Sequence, residues 1–187
     1  MRTKDDEKQK SIKNAVIKLI LERGFHGTSI SKIAKLAGIS PATVYIYYEN
    51  KEEMMRDIYE EYAYEVFEII QKRVTSNLTG EQLIEIILYE YYYYIMRNRE
   101  TFHFTEQFSN CPSLQKGCNT LKVPTSLNNI LSSYKERGIL IDYKNENIWA
   151  LLIYPIKAIA LNSTGYEISD KAILREMVTI IQNSLLL

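Results

Sequence analysis

The sequence predicts an all-α protein of about nine helices, with a small N-terminal three-helix unit and a longer helical remainder. Three observations predict it. Apolar residues recur at spacings of three and four along nearly the whole chain. Capping residues, glycines and prolines cut that periodicity into pieces of helical length. No stretch alternates apolar and polar residues as a half-buried strand would.

The chain has 187 residues, 46% apolar and 25% charged, enough to bury a sizeable core. No run approaches the roughly 18 uninterrupted apolar residues that a membrane helix needs. The opening MRTKDDEKQK lacks the apolar region of a secretory signal, so a cytoplasmic protein without a membrane partner is expected. Net charge is zero, but residues 1–51 hold ten Lys and Arg against five Asp and Glu, and the remainder carries the opposite excess. A locally basic head suits phosphate, and an acidic remainder stays away from it. Cys111 and Cys118 read as free thiols of a reducing compartment. His26 and His103 are too few to build a metal site or a catalytic base set. No metal, no cofactor and no catalytic residue is expected.

The first helix runs from about Lys4 to Arg23, with Ile12, Ala15, Val16, Leu19 and Ile20 as its apolar stripe. Arg2 and Lys4 read as a solvated tail. Gly24 ends the helix and Phe25 plugs the core. Thr28 to Lys51 then reads as two short helices around a tight turn. Thr28 or Ser29 caps the first, and Ile30, Ile33, Ala34 and Ala37 form its apolar face. Gly38 supplies the positive φ that ends it. Ser40 caps the second, with Pro41 at its first position and Val44 and Tyr48 pointing inward. This is a helix-turn-helix, about residues 29–48, whose second helix fits a DNA major groove.

Asn50 caps a long helix from Lys51 to about Thr75, a continuous link able to transmit a tilt. A turn at Ser76–Gly80 precedes a helix of about Glu81 to Asn98. Its Tyr91–Tyr94 run covers more than half the circumference and cannot all face one core. Thr101–Ser109 is amphipathic through Phe102, Phe104 and Phe108. Ser113–Gly138 reads as helix broken near Val123 by Pro124. Asn145 or Asn147 caps the next helix, which runs to about Ser163, is apolar nearly all round and carries a kinking Pro155. Gly165 stops it, and Ser169 caps a last helix reaching about Leu186.

The run GFHGTSISKIAKLAGISPATVYIYYENKEEMM, Gly24 to Met55, closely resembles the DNA-binding signature of the TetR family of bacterial transcription regulators. Its Gly-Phe lead-in, Thr-Ser start, Ala-Gly-Ile-Ser turn, Val-Tyr-x-Tyr-Tyr block and Asn-Lys-Glu-Glu entry carry the resemblance. It implies a DNA-binding domain at 1–50, a connecting helix at 51–75 and a helical sensing and dimerisation domain at 76–187. DNA contacts are expected from Ser29, Ser40, Pro41, Ala42, Thr43, Tyr45, Tyr47 and Lys51. Hydroxyls serve phosphates, and Pro41, Ala42 and Ile46 offer apolar contact. Ser31 stands where many relatives place a basic phosphate contact. The recognition helix lacks Arg, Asn and Gln, so specificity is expected from apolar contacts and DNA shape.

One recognition helix reads only part of a turn, so a homodimer on palindromic double-stranded DNA is expected. The resemblance places the dimer interface on the last two helices, here Trp149, Leu152, Ile156, Ile159, Ile173, Met177, Ile180 and Ile181. It also implies a small-molecule effector among the middle helices. Candidate lining residues are Tyr92, Met96, Phe102, Phe104, Phe108, Leu131, Tyr134, Trp149 and Tyr154, which suit an apolar or aromatic ligand. His103 is open between ligand contact and surface residue, and Glu90, Glu100 and Glu106 read as solvated. The leading expectation is a ligand-released transcription repressor rather than an enzyme. A helical carrier or enzyme with a core cavity, and a DNA-binding architectural protein without ligand response, stay open as alternatives.

Overall fold

A computed structural model of the chain describes residues 4–109, 123–163 and 167–187. Arg2, Cys111, Cys118, Gly165 and the expected helical stretch 113–122 lie outside the described residues. Among the described residues there are nine helices, in chain order α1 (Lys4–Arg23), α2 (Ile30–Ala37), α3 (Pro41–Tyr47), α4 (Lys51–Arg73), α5 (Gly80–Arg97), α6 (Arg99–Ser109), α7 (Thr125–Glu136), α8 (Asn145–Asn162) and α9 (Glu167–Leu185). The only β pairing among them is an isolated antiparallel bridge, Leu140 to Leu186.

The chain folds as two compact units, residues 1–63 with 99–120, and residues 64–98 with 121–187. The boundary falls inside α4 rather than at the expected residue 76, and α6 joins the first unit. In that unit Ile12, Val16 and Ile20 of α1 meet Ile33 and Ala34 of α2, Val44 of α3 and Met54, Met55 and Ile58 of α4. Phe104 and Phe108 of α6 complete the same core. They stand four residues apart on one helix face, so α6 presents a single aromatic ridge to α1. The ends of α1 and α2 follow from glycine: Gly24 and Gly38 hold φ near +66° and +70°, where a β-carbon is strained.

In the second unit α5 packs on α8 and α9. Leu83, Ile84, Ile87 and Leu88 meet a core that includes Ile148, Leu152, Ile156, Leu174 and Ile181. Of the tyrosine run, Tyr91, Tyr92 and Tyr94 are buried and Tyr93 faces outward. Thr79 starts α5 with a reciprocal capping box to Gln82. Gly80 follows because a β-carbon there would meet Leu186 Cδ2 at 2.4 Å and Ile139 Cγ2 at 2.7 Å. Three starts differ from the sequence reading. α8 begins at Asn145 with Lys144 in the cap position and no side-chain cap, so neither Asn145 nor Asn147 caps it. α9 begins at Glu167, which puts Ser169 inside its first turn. α7 begins at Thr125 behind Pro124, which has no capping side chain. At the α8–α9 corner the buried Ser163 hydroxyl donates to Asp170 Oδ2 at 2.5 Å.

Candidate nucleic-acid interface

The interface is built from α2, the Gly38 turn and α3. Ser29 Oγ accepts from the Lys32 N–H, capping α2. Thr28, the alternative cap, is buried and donates its hydroxyl to the Gly24 carbonyl instead. Gly38 and Ile39 N–H groups return to Lys35 and Ala34 carbonyls and close the turn. Ser40 Oγ accepts from the Thr43 N–H at 3.1 Å and lies 2.9 Å from the Thr43 hydroxyl. Val44 and Tyr48 are buried beneath, which fixes the rotation of α3. That rotation turns Pro41, Ala42, Tyr45 and Ile46 outward, with Tyr45 57% and Ile46 76% exposed. From Thr28 to Tyr48 there is no carboxylate, while Lys32 and Lys35 supply positive charge.

Four expected contact residues are already engaged. The Tyr47 hydroxyl donates to Asp5 Oδ1 at the start of α1. That hydrogen bond is the largest cause raising its pKa. The Lys51 ammonium donates to the Phe25 and Thr28 carbonyls, both at 3.3 Å, and lies 4.0 Å from the Phe25 ring centroid. It ties down the loop between α1 and α2 and has one donor left for a phosphate. Ser29 and Ser40 use their side-chain oxygens as caps, which leaves the hydroxyl hydrogens to donate. Asp5 was missed because nothing local pairs it with a residue 42 positions away. Burial, with Glu61 and Asp57 nearby, pushes the Tyr48 phenol up to about 12.

The nine residues expected around an effector are divided between the units. Phe104 and Phe108 belong to the core of the first, with Phe102 buried on the same helix. This corrects their assignment to a pocket of the C-terminal region. In the second unit Tyr92, Leu131, Tyr134 and Trp149 are buried, Met96 is half-buried and Tyr154 is exposed. Tyr134 and Trp149 direct their polar groups to structural partners. The Tyr134 hydroxyl donates to the Leu78 carbonyl at 2.7 Å, and Trp149 Nε1 donates to Asn128 Oδ1 at 2.9 Å. The expected dimer face also needs correction. Trp149, Leu152, Ile156 and Ile181 are buried within the protomer, because their helix faces point at α5 and at each other's helix. Ile173 and Ile180 are 46% and 49% exposed, and Ile159 and Met177 half-buried. Leu151 and Tyr154, 41% and 55% exposed, join this apolar surface. Leu151 was missed because α8 is apolar on every side, so its pattern does not say which face is outward.

A cleft of about 500 Å³ opens in the first unit among the end of α1, the loop after it, α4 and α6. It is lined by residues that include Phe25, His26, Met55, His103, Phe104 and Phe108. His103, left open by the sequence, therefore faces a cavity together with His26.

The family described as bacterial regulatory proteins, tetR family, matches residues 12–58, the span from the first core isoleucine of α1 to Ile58 of α4. The fatty acid metabolism regulator protein of Bacillus subtilis (strain 168) is 24% identical over 127 residues, 68% of this chain and 62% of that protein. Over residues 12–58 the chain carries the N-terminal domain of the tetR family. The TetR fold extends through all nine helices. A TetR family transcription regulator from Marinobacter aquaeolei VT8 superposes with a TM-score of 0.77 at 23% identity, over 100% of this chain and 99% of that one. The Bacillus subtilis regulator FadR, solved in complex with stearoyl-CoA, has a TM-score of 0.70 at 17% identity, covering 92% and 96%. Matches to the curated TetR-type relatives span between 28 and 65% of their lengths. Among the described residues, no helix is long and apolar enough to cross a membrane.

Proposed function

We propose that the chain is a cytoplasmic transcriptional repressor that binds a palindromic operator as a homodimer and is released by a small apolar or aromatic effector. The observation that carries this reading is α3: a capped, carboxylate-free helix anchored by Val44 and Tyr48 and presenting Tyr45 and Ile46 outward. Ser40, Thr43 and Tyr45 serve phosphates, Pro41, Ala42 and Ile46 meet base edges, and Lys51 adds a phosphate contact at the start of α4. A single α3 spans one half-site, and two copies related by a two-fold axis read a palindrome.

The second copy docks on the stripe of Leu151, Tyr154, Ile173, Met177 and Ile180. These residues are exposed or half-buried and lie at helical spacing on α8 and α9. The effector site lies in the second unit. Bacillus subtilis FadR supports an effector that carries a long apolar chain, since its solved structure holds stearoyl-CoA.

The test is fluorescence anisotropy of the purified protein on labelled DNA from upstream of its own gene, against unrelated DNA. Selective binding that weakens steeply with salt supports the reading. Equal binding to both DNAs, or none at low salt, overturns the repressor of its own neighbourhood. Addition of a long-chain acyl-CoA should then release the DNA, and retention at saturation rejects that effector class.

A further inference from the structure

We propose that the cleft of the first unit is a small-molecule site that takes a neutral aromatic compound, separate from any effector site in the second unit. Its volume of about 500 Å³ lies within the range of small-molecule pockets. Its chemistry is also that of such a pocket. Half-buried Phe25 gives it an apolar side, backed by Met55, Phe104 and Phe108, which are buried in the core behind it. His26, His103 and Gln107 add groups that donate and accept hydrogen bonds.

The two sides come from the register of α6. Phe104 and Phe108 form one row at a spacing of four, and His103 and Gln107 form the neighbouring row. The wall is held in place before any ligand arrives. Phe108 stacks on Tyr59 with ring centroids 4.4 Å apart, and Ser109 donates to the Tyr59 hydroxyl. Phe25 is fixed on one side by the Lys51 ammonium and meets His26 edge to face at 5.3 Å. A preformed wall spares the ligand the cost of ordering side chains.

Charge selects the ligand class. The residues lining the cleft include the carboxylate of Glu106 and no lysine or arginine, so they offer an anionic compound no fixed positive charge. Aromatic rings offer stacking and edge contacts to a flat ligand, and the polar row orients one heteroatom. This inference does not depend on the DNA-binding reading, because the site and its test concern the free protein.

The test exploits composition. His26 and His103 are the chain's two histidines and both line the cleft, so every imidazole signal reports on this site. Full-length protein carrying labelled histidine is titrated with N-phenyl-1-naphthylamine, a neutral probe, and separately with 8-anilino-1-naphthalenesulfonate, its anionic counterpart. The expected result is movement of both imidazole signals with the neutral probe. The anion should need about tenfold more to produce the same movement. Gln107→Trp, at an exposed position on the rim, should fill the mouth and abolish the shifts while the circular dichroism spectrum stays unchanged. Unmoved imidazole signals at probe saturation overturn the site, even if probe fluorescence rises elsewhere. Equal potency of the two probes overturns the ligand class.

Discussion

Asp5 is the residue a DNA-reading surface tolerates least, yet it holds the Tyr47 hydroxyl beside α3. Its carboxylate repels a phosphate approaching Tyr47, and the hydrogen bond withholds a donor from it. Asp5→Asn should therefore raise DNA affinity severalfold, read by anisotropy at fixed salt; an affinity unchanged or lowered would refute this. Tyr45→Ala removes an exposed side chain and should weaken DNA binding at least tenfold with little change in melting temperature. Tyr48 works inside the fold. Its folded pKa of about 12 exceeds the unfolded value of 10.0. The unfolded chain therefore ionises first, and stability present below pH 10.0 is lost as pH rises towards 12. Tyr48→Phe should flatten that alkaline decline in urea-unfolding experiments. Equal declines for both proteins would remove Tyr48 as the cause. The outward set Pro41, Ala42 and Tyr45 was legible in the sequence because Val44 and Tyr48 fix the rotation of α3. The engagement of Tyr47 by Asp5 and of Lys51 by two loop carbonyls was not, since each depends on a residue far along the chain.

A helix of seven residues such as α3 is not stable alone and borrows its order from its cap and its anchors. Ser40→Ala should cost about 1 kcal/mol, measured by chemical denaturation of the full chain. Gly38→Ala should cost a similar amount, because φ near +70° strains a β-carbon even though nothing crowds it. If Gly38→Ala proves neutral, the left-handed cap does not set the α2–α3 turn. Helix limits were legible where a cap or glycine marks them, as at Gly24, Ser29, Gly38, Ser40 and Asn50. They were less so at α8 and α9, where Lys144 offers no capping side chain and α9 starts two residues before Ser169. The spacing of Phe104 and Phe108 revealed that α6 has a buried face. Periodicity names the face and not its partner, so their place against α1 came only with the fold.

The proposed self-association uses the outer surface of α8 and α9, where neighbouring residues differ sharply in exposure. Ile180 is half exposed and Ile181 is 3% exposed. Ile180→Glu should give a folded monomer by light scattering and melting. Ile181→Glu should unfold the second unit, since it buries a charge without a partner. A dimer surviving Ile180→Glu would move the interface elsewhere. The basic head and acidic remainder, both readable from composition, predict DNA affinity that falls linearly with salt on logarithmic axes.

The return of α6 to the first unit also bears on how such chains can be recombined. A biosensor builder who grafts residues 1–75 onto another sensor leaves behind Phe104 and Phe108. The hybrid's head then has a gap where two aromatic rings belong. A workable chimera must exchange residues 99–109 along with the head, or choose a donor whose own sixth helix offers the same aromatic ridge.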